Sequence, residues 1–315
     1  MSGPKILITG ATGYIGGSVL TTLLTSEDAG IKSASISALV RKQEQADKLQ
    51  QNGVQPILFS GLDDTELLTK VASEHDIVIN TASAFHNRAA AAIIEGLARR
   101  KKDTGKEVHL VHTSRTSSLG DQPVSGGYRE TRVFSDKDDI YSYLRAREDR
   151  EPYAQRTTDL VVFEKGIEAS VRTYILMSPT IYAVGDGFFN RTSIQIDTII
   201  RAAYRQGYTS VIGTGAGEWD HVHIMDLKDL YHLILQRLIA GEDLAYGKDG
   251  ICFNETGVVA RGLGEGGKGW QGARVPGYGR GEGGVTADGS GQGYGEREYG
   301  VDGAGVRVAV EDAVA

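Results

Sequence analysis

The 315-residue chain has a single cysteine, Cys252. One thiol excludes an internal disulfide and a cysteine-rich zinc site, and it suits a reducing compartment. No apolar run approaches the ~20 residues needed to span a bilayer. The N-terminus lacks a basic segment followed by an apolar core, so it does not read as a secretory signal. Positive charge is not in excess: the net charge is −7. That argues against a nucleic-acid partner, which calls for a basic face. The expectation is a cytoplasmic protein with a small-molecule substrate and neither a nucleic-acid nor a membrane partner.

A different scarcity marks the last 59 residues. From Gly257 to Ala315 there is one Leu and no Ile, Phe, Met, Asn or His, while 19 of the chain's 42 glycines fall there. With so little apolar surface to offset its ordering entropy, this segment is expected to be disordered. One reading is a natural flexible tail; the preferred one is translation in a wrong frame, or of a retained intron, beginning just after "FNETG".

The first 180 residues alternate short apolar runs with amphipathic stretches. The pattern predicts strands at 5–9, 34–40, 54–59, 76–81, 107–113 and 171–178, with helices near 14–25, 43–52, 64–74, 87–102 and 153–168. Nearly continuous apolar runs such as "DIVIN" suit strands buried on both faces, and their alternation with helices implies a doubly wound parallel sheet. The stretch 115–151 is polar and crowded with charge, either a solvated excursion or a loop over an active site. Beyond 185, "SIQIDTIIRAAYRQG" and "LKDLYHLILQRLIAG" read as amphipathic helices ending at Gly207 and Gly241, followed by a short strand in "GICFNE". The division expected is 1–184 for a nucleotide-binding domain, 185–256 for a small substrate lobe, and 257–315 for the tail.

The segment "ILITGATGYIGG" joins a strand to a helix through Gly10, Gly13 and Gly16. A helix N-terminus offers unpaired N–H groups and partial positive charge to a phosphate. Gly10 allows the tight turn, Gly13 lets a pyrophosphate approach, and Gly16 lets the helix pack closely on the strand. Strand-turn-helix is the context that this spacing requires. Thr12, Tyr14 and Ile15 lie within the same turn.

The spacing Thr9, Gly10, Gly13, Gly16 resembles the extended short-chain dehydrogenase/reductase superfamily, and "ITGATGYIGG" is similar to its atypical epimerase/dehydratase-like and reductase branches. "NTAS" (80–83), "VHTSRTSSLG" (111–120), "RTYILMSPTIYAVGDG" (172–187) and "WDHVHIMDL" (219–227) follow in the family's order. The resemblance covers residues 5 to about 256. It implies an α/β Rossmann fold with a small C-terminal substrate lobe, an NAD(P) cofactor, and a homodimer formed through two sheet-flanking helices. It also implies that Thr81, Ala82 and Ser83 line the adenosine and ribose, and that Pro179 lies beside the nicotinamide.

The second predicted strand ends "SALVRK". Arg41, with Lys42 beside it, stands where an acidic residue would select NAD, so the expected cofactor is NADP, with NAD the alternative. Asp63 either meets the adenine or caps the helix that starts near Thr65.

The resemblance further implies a relay. A serine or threonine orients the substrate oxygen, a tyrosine moves the proton, and a lysine four residues later binds the ribose. Ser114 fits the first role, or else its hydroxyl caps a strand end; Thr113 and Thr116 are close by. No tyrosine here has the lysine. Tyr141 and Tyr143 are followed at that distance by Arg145 and Arg147, and Tyr153 by Thr157. Distance to the Ser-Pro-Thr loop at 178–180 favours Tyr153 with Arg156, although arginine does not trade protons as lysine does. The reading is therefore an NADP-dependent oxidoreductase or epimerase-like protein acting on a carbonyl, alcohol or nucleotide-sugar. Its alternative is a non-catalytic dinucleotide-binding regulator resembling the nitrogen-metabolite-repression proteins. No metal is expected: His221 and His223 share one strand face without a third ligand, and Asp226 is read as capping the next helix.

Overall fold

The computed structural model describes residues 3–120, 130, 132–209, 218–260 and 307–309. In chain order the strands are β1 (Lys5–Thr9), β2 (Ser35–Val40), β3 (Gln55–Leu58), β4 (Ile77–Asn80), β5 (His109–Arg115), β6 (Val133–Ser135) and β7 (Arg172–Ser178), followed by β8 (Thr180–Tyr182), β9 (Glu218–His223), β10 (Ile251–Phe253), β11 (Gly257–Ala260) and β12 (Arg307–Ala309). The helices are α1 (Tyr14–Leu24), α2 (Ala29–Lys32), α3 (Gln43–Gln50), α4 (Thr65–Ala72), α5 (Asn87–Thr104), α6 (Ile140–Arg150), α7 (Ala154–Glu168), α8 (Ile194–Gln206) and α9 (Ile224–Ala240). The strands and helices read from the first 180 residues are present, with bounds shifted by at most two residues.

Seven strands form one parallel sheet in the order β10-β7-β5-β4-β1-β2-β3. Successive residues of a strand face opposite sides, and the two sides feed separate cores. Leu7, Val78, Leu110 and Ile175 pack with α4, α5 and α7. Ile6, Ile8, Ile79, Val111 and Leu176 pack with α1, α3 and α9. This is a doubly wound Rossmann-type sheet. The strand order reverses between β1 and β4, and in such sheets a crevice opens there, outside the carboxyl ends of the strands.

A second sheet, β11-β9-β8, stands beyond the carboxyl end of β7. The strand β8 runs parallel to β9, and β11 runs antiparallel to it. Gly207 and Gly241 close α8 and α9 at φ of 77° and 79°, a left-handed conformation that suits glycine. The polar stretch 115–151 holds a helix that its charge obscured. In α6 the Ile140–Leu144 pair, one turn apart, is buried on the core while charged residues fill most other positions. Residues 121–129 and 131 of that stretch lie outside the described residues. So does the glycine-rich tail, apart from β11 and from β12, which pairs with β6. Among the described residues no helix is long and apolar enough to cross a membrane.

The α4–α5 contact shows how closely this layer packs. A Cβ on Gly96 would lie 2.3 Å from the Thr69 carbonyl oxygen and 2.6 Å from the Ala72 Cβ. Alanine gains about 1 kcal/mol over glycine in an exposed helix interior, but overpacking costs about 1–3 kcal/mol. Backbone oxygen cannot swing aside, so the clash should win. Gly96→Ala is expected to lower the denaturant midpoint, and a raised midpoint would show that the two helices slide apart freely.

Candidate active site

The three glycines of the first turn do three different jobs. Gly10 has φ +77°, and a Cβ there would lie 2.8 Å from the backbone of Thr81 and Ala82. Gly16 sits in α1 where a Cβ would lie 2.3 Å from Thr81 Oγ1 and 2.4 Å from the Gly10 carbonyl oxygen. Gly13 differs from both. Its backbone is extended (φ −85°, ψ 176°), and the one atom within reach of a Cβ is the Gly10 oxygen at 3.1 Å. No left-handed strain requires glycine there, and beyond the close approach to that one oxygen the missing side chain leaves room above the turn.

Gly13 caps α1 without a side-chain hydrogen bond. The first helical N–H to find a carbonyl is that of Gly17, bonded to Gly13 at 2.9 Å. The N–H groups of Tyr14, Ile15 and Gly16 therefore stand at the positive end of the helix dipole, facing that space. This cradle fits a dinucleotide pyrophosphate. The Tyr14 side chain has another task. Its hydroxyl donates to the carbonyls of Tyr182 (2.8 Å) and Ala183 (2.6 Å), and burial raises its pKa to about 12. It thereby ties the loop after β8 to α1. Thr12 joins the same loop through its carbonyl, which accepts from Asn190 N–H at 3.3 Å.

The residues expected to meet the rest of the nucleotide lie along the same edge. Thr81 donates its hydroxyl to the Thr9 carbonyl at 2.7 Å, which locks β4 to β1, with Ala82 and Ser83 next in the chain. The Ser83 hydroxyl accepts from Phe85 N–H at 3.1 Å. At the end of β2 Arg41 is exposed, and Lys42 pairs loosely with Glu44 at 3.6 Å. Of the two roles open to Asp63, the cap belongs instead to Asp64, whose carboxylate accepts from Leu67 N–H at 3.2 Å. Asp63 is exposed and lies 3.3 Å from His86 Nε2. Likewise α9 is capped by His223 Nδ1, which accepts from Met225 N–H at 3.2 Å, and not by Asp226.

Side chains at and just beyond the end of β5 gather around the start of α7. Tyr153 is half-buried, its ring edge-on to Phe85, and its hydroxyl donates to Ser117 Oγ at 3.4 Å. Ser117 in turn donates to Gln155 Oε1 at 3.2 Å. Ser114 is fully buried and donates to Asp159 Oδ2 at 2.9 Å. Arg156 is also buried. Its guanidinium donates to the carbonyls of Ser118 (2.9 Å) and Glu151 (2.7 Å) and lies 3.6 Å from Glu148. Tyr153 and Arg156 thus share a site, with the guanidinium 5.7 Å from the centre of the tyrosine ring, but the arginine's hydrogen bonds hold loop backbone. Pro179 follows β7 directly and leads into β8.

Residues 6–247 match the NAD dependent epimerase/dehydratase family. The chain belongs to that family. Among curated proteins it is 30% identical to Oxidase ucsJ of an Acremonium species over 72% of its own length, and it spans 64% of that relative. Among solved structures it is similar to UDP-glucuronic acid 4-epimerase of Bacillus cereus (15% identity, TM-score 0.53, 81% and 79% of the two chains). It is equally similar to vestitone reductase of alfalfa (15% identity, TM-score 0.53, 82% and 78%). At such identities these two establish the fold alone.

In this family member a carboxylate occupies the floor of the site. Asp159, on α7, is fully buried, and its Oδ2 accepts from Ser114 and also from Ser118 at 2.6 Å. Gln155 Nε2 donates to Ser118 Oγ at 2.9 Å and to Ser114 Oγ at 3.3 Å, completing the cluster. The other carboxylate oxygen faces His112 Nε2 at 4.0 Å, and neither atom has a hydrogen-bond partner among the described residues. His112 Nδ1 accepts from Asn80 Nδ2 at 2.9 Å, which places the ring proton on Nε2. Asn80 Oδ1 accepts from Thr9 at 2.6 Å. A buried polar line thus crosses β1, β4, β5 and α7 beneath the cradle. Sequence reading singled out Ser114 but missed Asp159 and Gln155. The available signal was their spacing on the helix, which puts both one turn apart on the face toward β5.

Burial sets the charge of this line. Desolvation raises Asp159 to about 7, against the hydrogen bonds from Ser118 and Ser114 and the charge of Arg156. Desolvation also lowers His112 to about 4. The raised carboxyl binds more protons in the folded state, so it lowers stability as pH rises from about 4 to about 7. The depressed imidazole binds fewer protons when folded, so it raises stability between about pH 4 and about 6.5. The two slopes oppose each other. Relative to the unsubstituted protein, Asp159→Asn should gain stability as pH rises through this window, and His112→Gln should lose it. Urea midpoints at pH 4.5, 5.5 and 6.5 check both signs, and parallel curves for all three proteins would refute the assignment.

Proposed function

We propose that this protein is an NADP-dependent oxidoreductase or epimerase-like enzyme acting on a small carbonyl or alcohol, with Tyr153 as its proton-transfer residue. The observation that carries the reading is the placement of the half-buried Tyr153 hydroxyl, on Ser117, at the sheet edge that also bears the glycine cradle. A bound nicotinamide dinucleotide supplies or withdraws a hydride. The chain's own residues do the rest. The N–H groups of Tyr14, Ile15 and Gly16 hold the pyrophosphate. Thr81, Ala82, Ser83 and Asp63 border the adenosine side, and Pro179 borders the nicotinamide. The exposed Arg41, with Lys42, meets a ribose 2′-phosphate and favours NADP over NAD. Tyr153 gives its proton to the substrate oxygen in reduction and takes it back in oxidation. Because the residue is half-buried, its proton is renewed directly from water. Ser114 acts through position: bound to Asp159 and Gln155, it fixes the floor on which Ser117 and Tyr153 rest.

A second reading draws on one feature. Arg156 is committed to loop carbonyls and Glu148, and the family's lysine is replaced at that distance by Thr157. A site whose arginine beside the tyrosine is immobilised suits a protein that binds the dinucleotide and does not turn it over. The two readings part on activity. The enzyme reading expects NADPH oxidation with an aldehyde or ketone, and a loss of about 10²–10⁴-fold in kcat for Tyr153→Phe with NADPH affinity unchanged. It also expects Arg41→Ala to weaken NADPH and leave NADH binding unaffected. Tight NADPH binding without turnover across a broad carbonyl panel would favour the silent binder.

A further inference from the structure

The second sheet presents two faces. Ile181 and Val222 point into the core beside α1 and α9. Thr180, Tyr182, Trp219 and His221 point the other way, since alternate residues share a face and the register sets Thr180 opposite His221. The helix α8 lies over this outer face. Between them is a cleft of about 500 Å³, walled by Tyr182, Ile196, Ile199 and Trp219, with Thr180 and His221 on its floor. The aromatic wall is firmly set: the Tyr182 ring is edge-on to both His221 (5.3 Å) and His223 (5.1 Å).

Three features bear on what this cleft admits. Its floor adjoins the proposed nicotinamide side in the chain, since Thr180 directly follows Pro179. Its size falls within the range of small-molecule sites. Its chemistry is apolar: among the described residues lining it there is no Lys or Arg, and the one charged residue is the acidic Asp220. A nucleotide-sugar diphosphate needs cations or convergent N–H groups, and the described lining side chains supply no cation; Asp220 alternates with Trp219 and His221 and is buried on the other face.

We infer that the substrate carries an apolar body, aromatic or long-chain, that lies in the cleft between α8 and the β8–β9 sheet with its carbonyl or alcohol toward Pro179, and that it is not a nucleotide-sugar. The inference rests on the oxidoreductase reading above and narrows its substrate class.

The chain's two tryptophans are Trp219 and Trp270, so Trp270→Phe makes the cleft's own Trp219 the sole reporter. In that background, with NADP⁺ present, 2-acetonaphthone should quench Trp219 emission saturably, and UDP-glucose should not. Ile199 is exposed enough (43%) for a charge to be tolerated there. Ile199→Asp should weaken the naphthone at least tenfold and leave NADPH affinity unchanged. In turnover, kcat/KM along a series of alkan-2-ones should rise roughly fourfold per added methylene until the cleft is full. Preferential quenching by UDP-glucose, a flat ketone series, or naphthone affinity indifferent to Ile199→Asp would overturn the inference. Saturable naphthone binding without turnover of any ketone would instead overturn the oxidoreductase reading and leave the cleft assignment standing. Turnover of small ketones without naphthone binding would do the reverse.

Discussion

The structure depends on how closely α1 can approach the ends of β1 and β4. Thr81 is the point of contact. Its hydroxyl binds the Thr9 carbonyl, and its side chain fills the space that a Cβ on Gly10 or Gly16 would need. That approach aims the N-terminus of α1 into the crevice between β1 and β4. It also sets where the loop beyond β8 can dock, because Gly187 rests against Gly17, where a Cβ would lie 2.8 Å from its backbone. Lys228, from α9, secures Asp186 of the same loop. The glycine turn, the end of β4 and the loop that leads from β8 toward α8 are therefore held by one set of short contacts.

Much of this was legible in the sequence, for identifiable reasons. Strands buried on both faces give unbroken apolar runs, so β1, β4 and β7 declared themselves, and the glycine spacing located the turn. Side-chain partners were less visible. Asp64 and His223 take the caps because of a one-residue or three-residue difference in phase that composition does not encode. The helix α6 was hidden because its buried face is narrow: Ile140 and Leu144 lie among arginines and carboxylates, and Arg147 is itself buried against the Gly120 carbonyl and Tyr143. Asp159 was missed because a carboxylate on a helix reads as solvated until the facing strand is known.

Asp159 also changes how the missing lysine is understood. A lysine on this helix would put positive charge beside the tyrosine. Here the buried group has the opposite sign when ionised, and burial pushes it toward its neutral form. Ser114 and Ser118 satisfy one of its oxygens and Gln155 holds the two serines, which rigidifies the floor, while Arg156 braces the loop backbone. Tyr153 and its hydroxyl neighbours lie over a floor whose buried ionisable group is a carboxyl. That is a chemical distinction from the pattern the sequence resembles, and it sharpens the question of turnover without removing the cradle.

The room above Gly13 fits a dinucleotide pyrophosphate. The most direct measurement is a fluorescence titration of the full chain with NADPH, beside a Gly13→Val variant. The extended backbone at Gly13 accepts a side chain without a left-handed strain, and the 3.1 Å approach to the Gly10 oxygen asks only for a small shift, so the variant should fold with a somewhat lowered melting temperature. Saturable NADPH binding is expected of the unsubstituted protein, and its loss is expected in the variant. Equal binding by both proteins, or binding by neither, would contradict it.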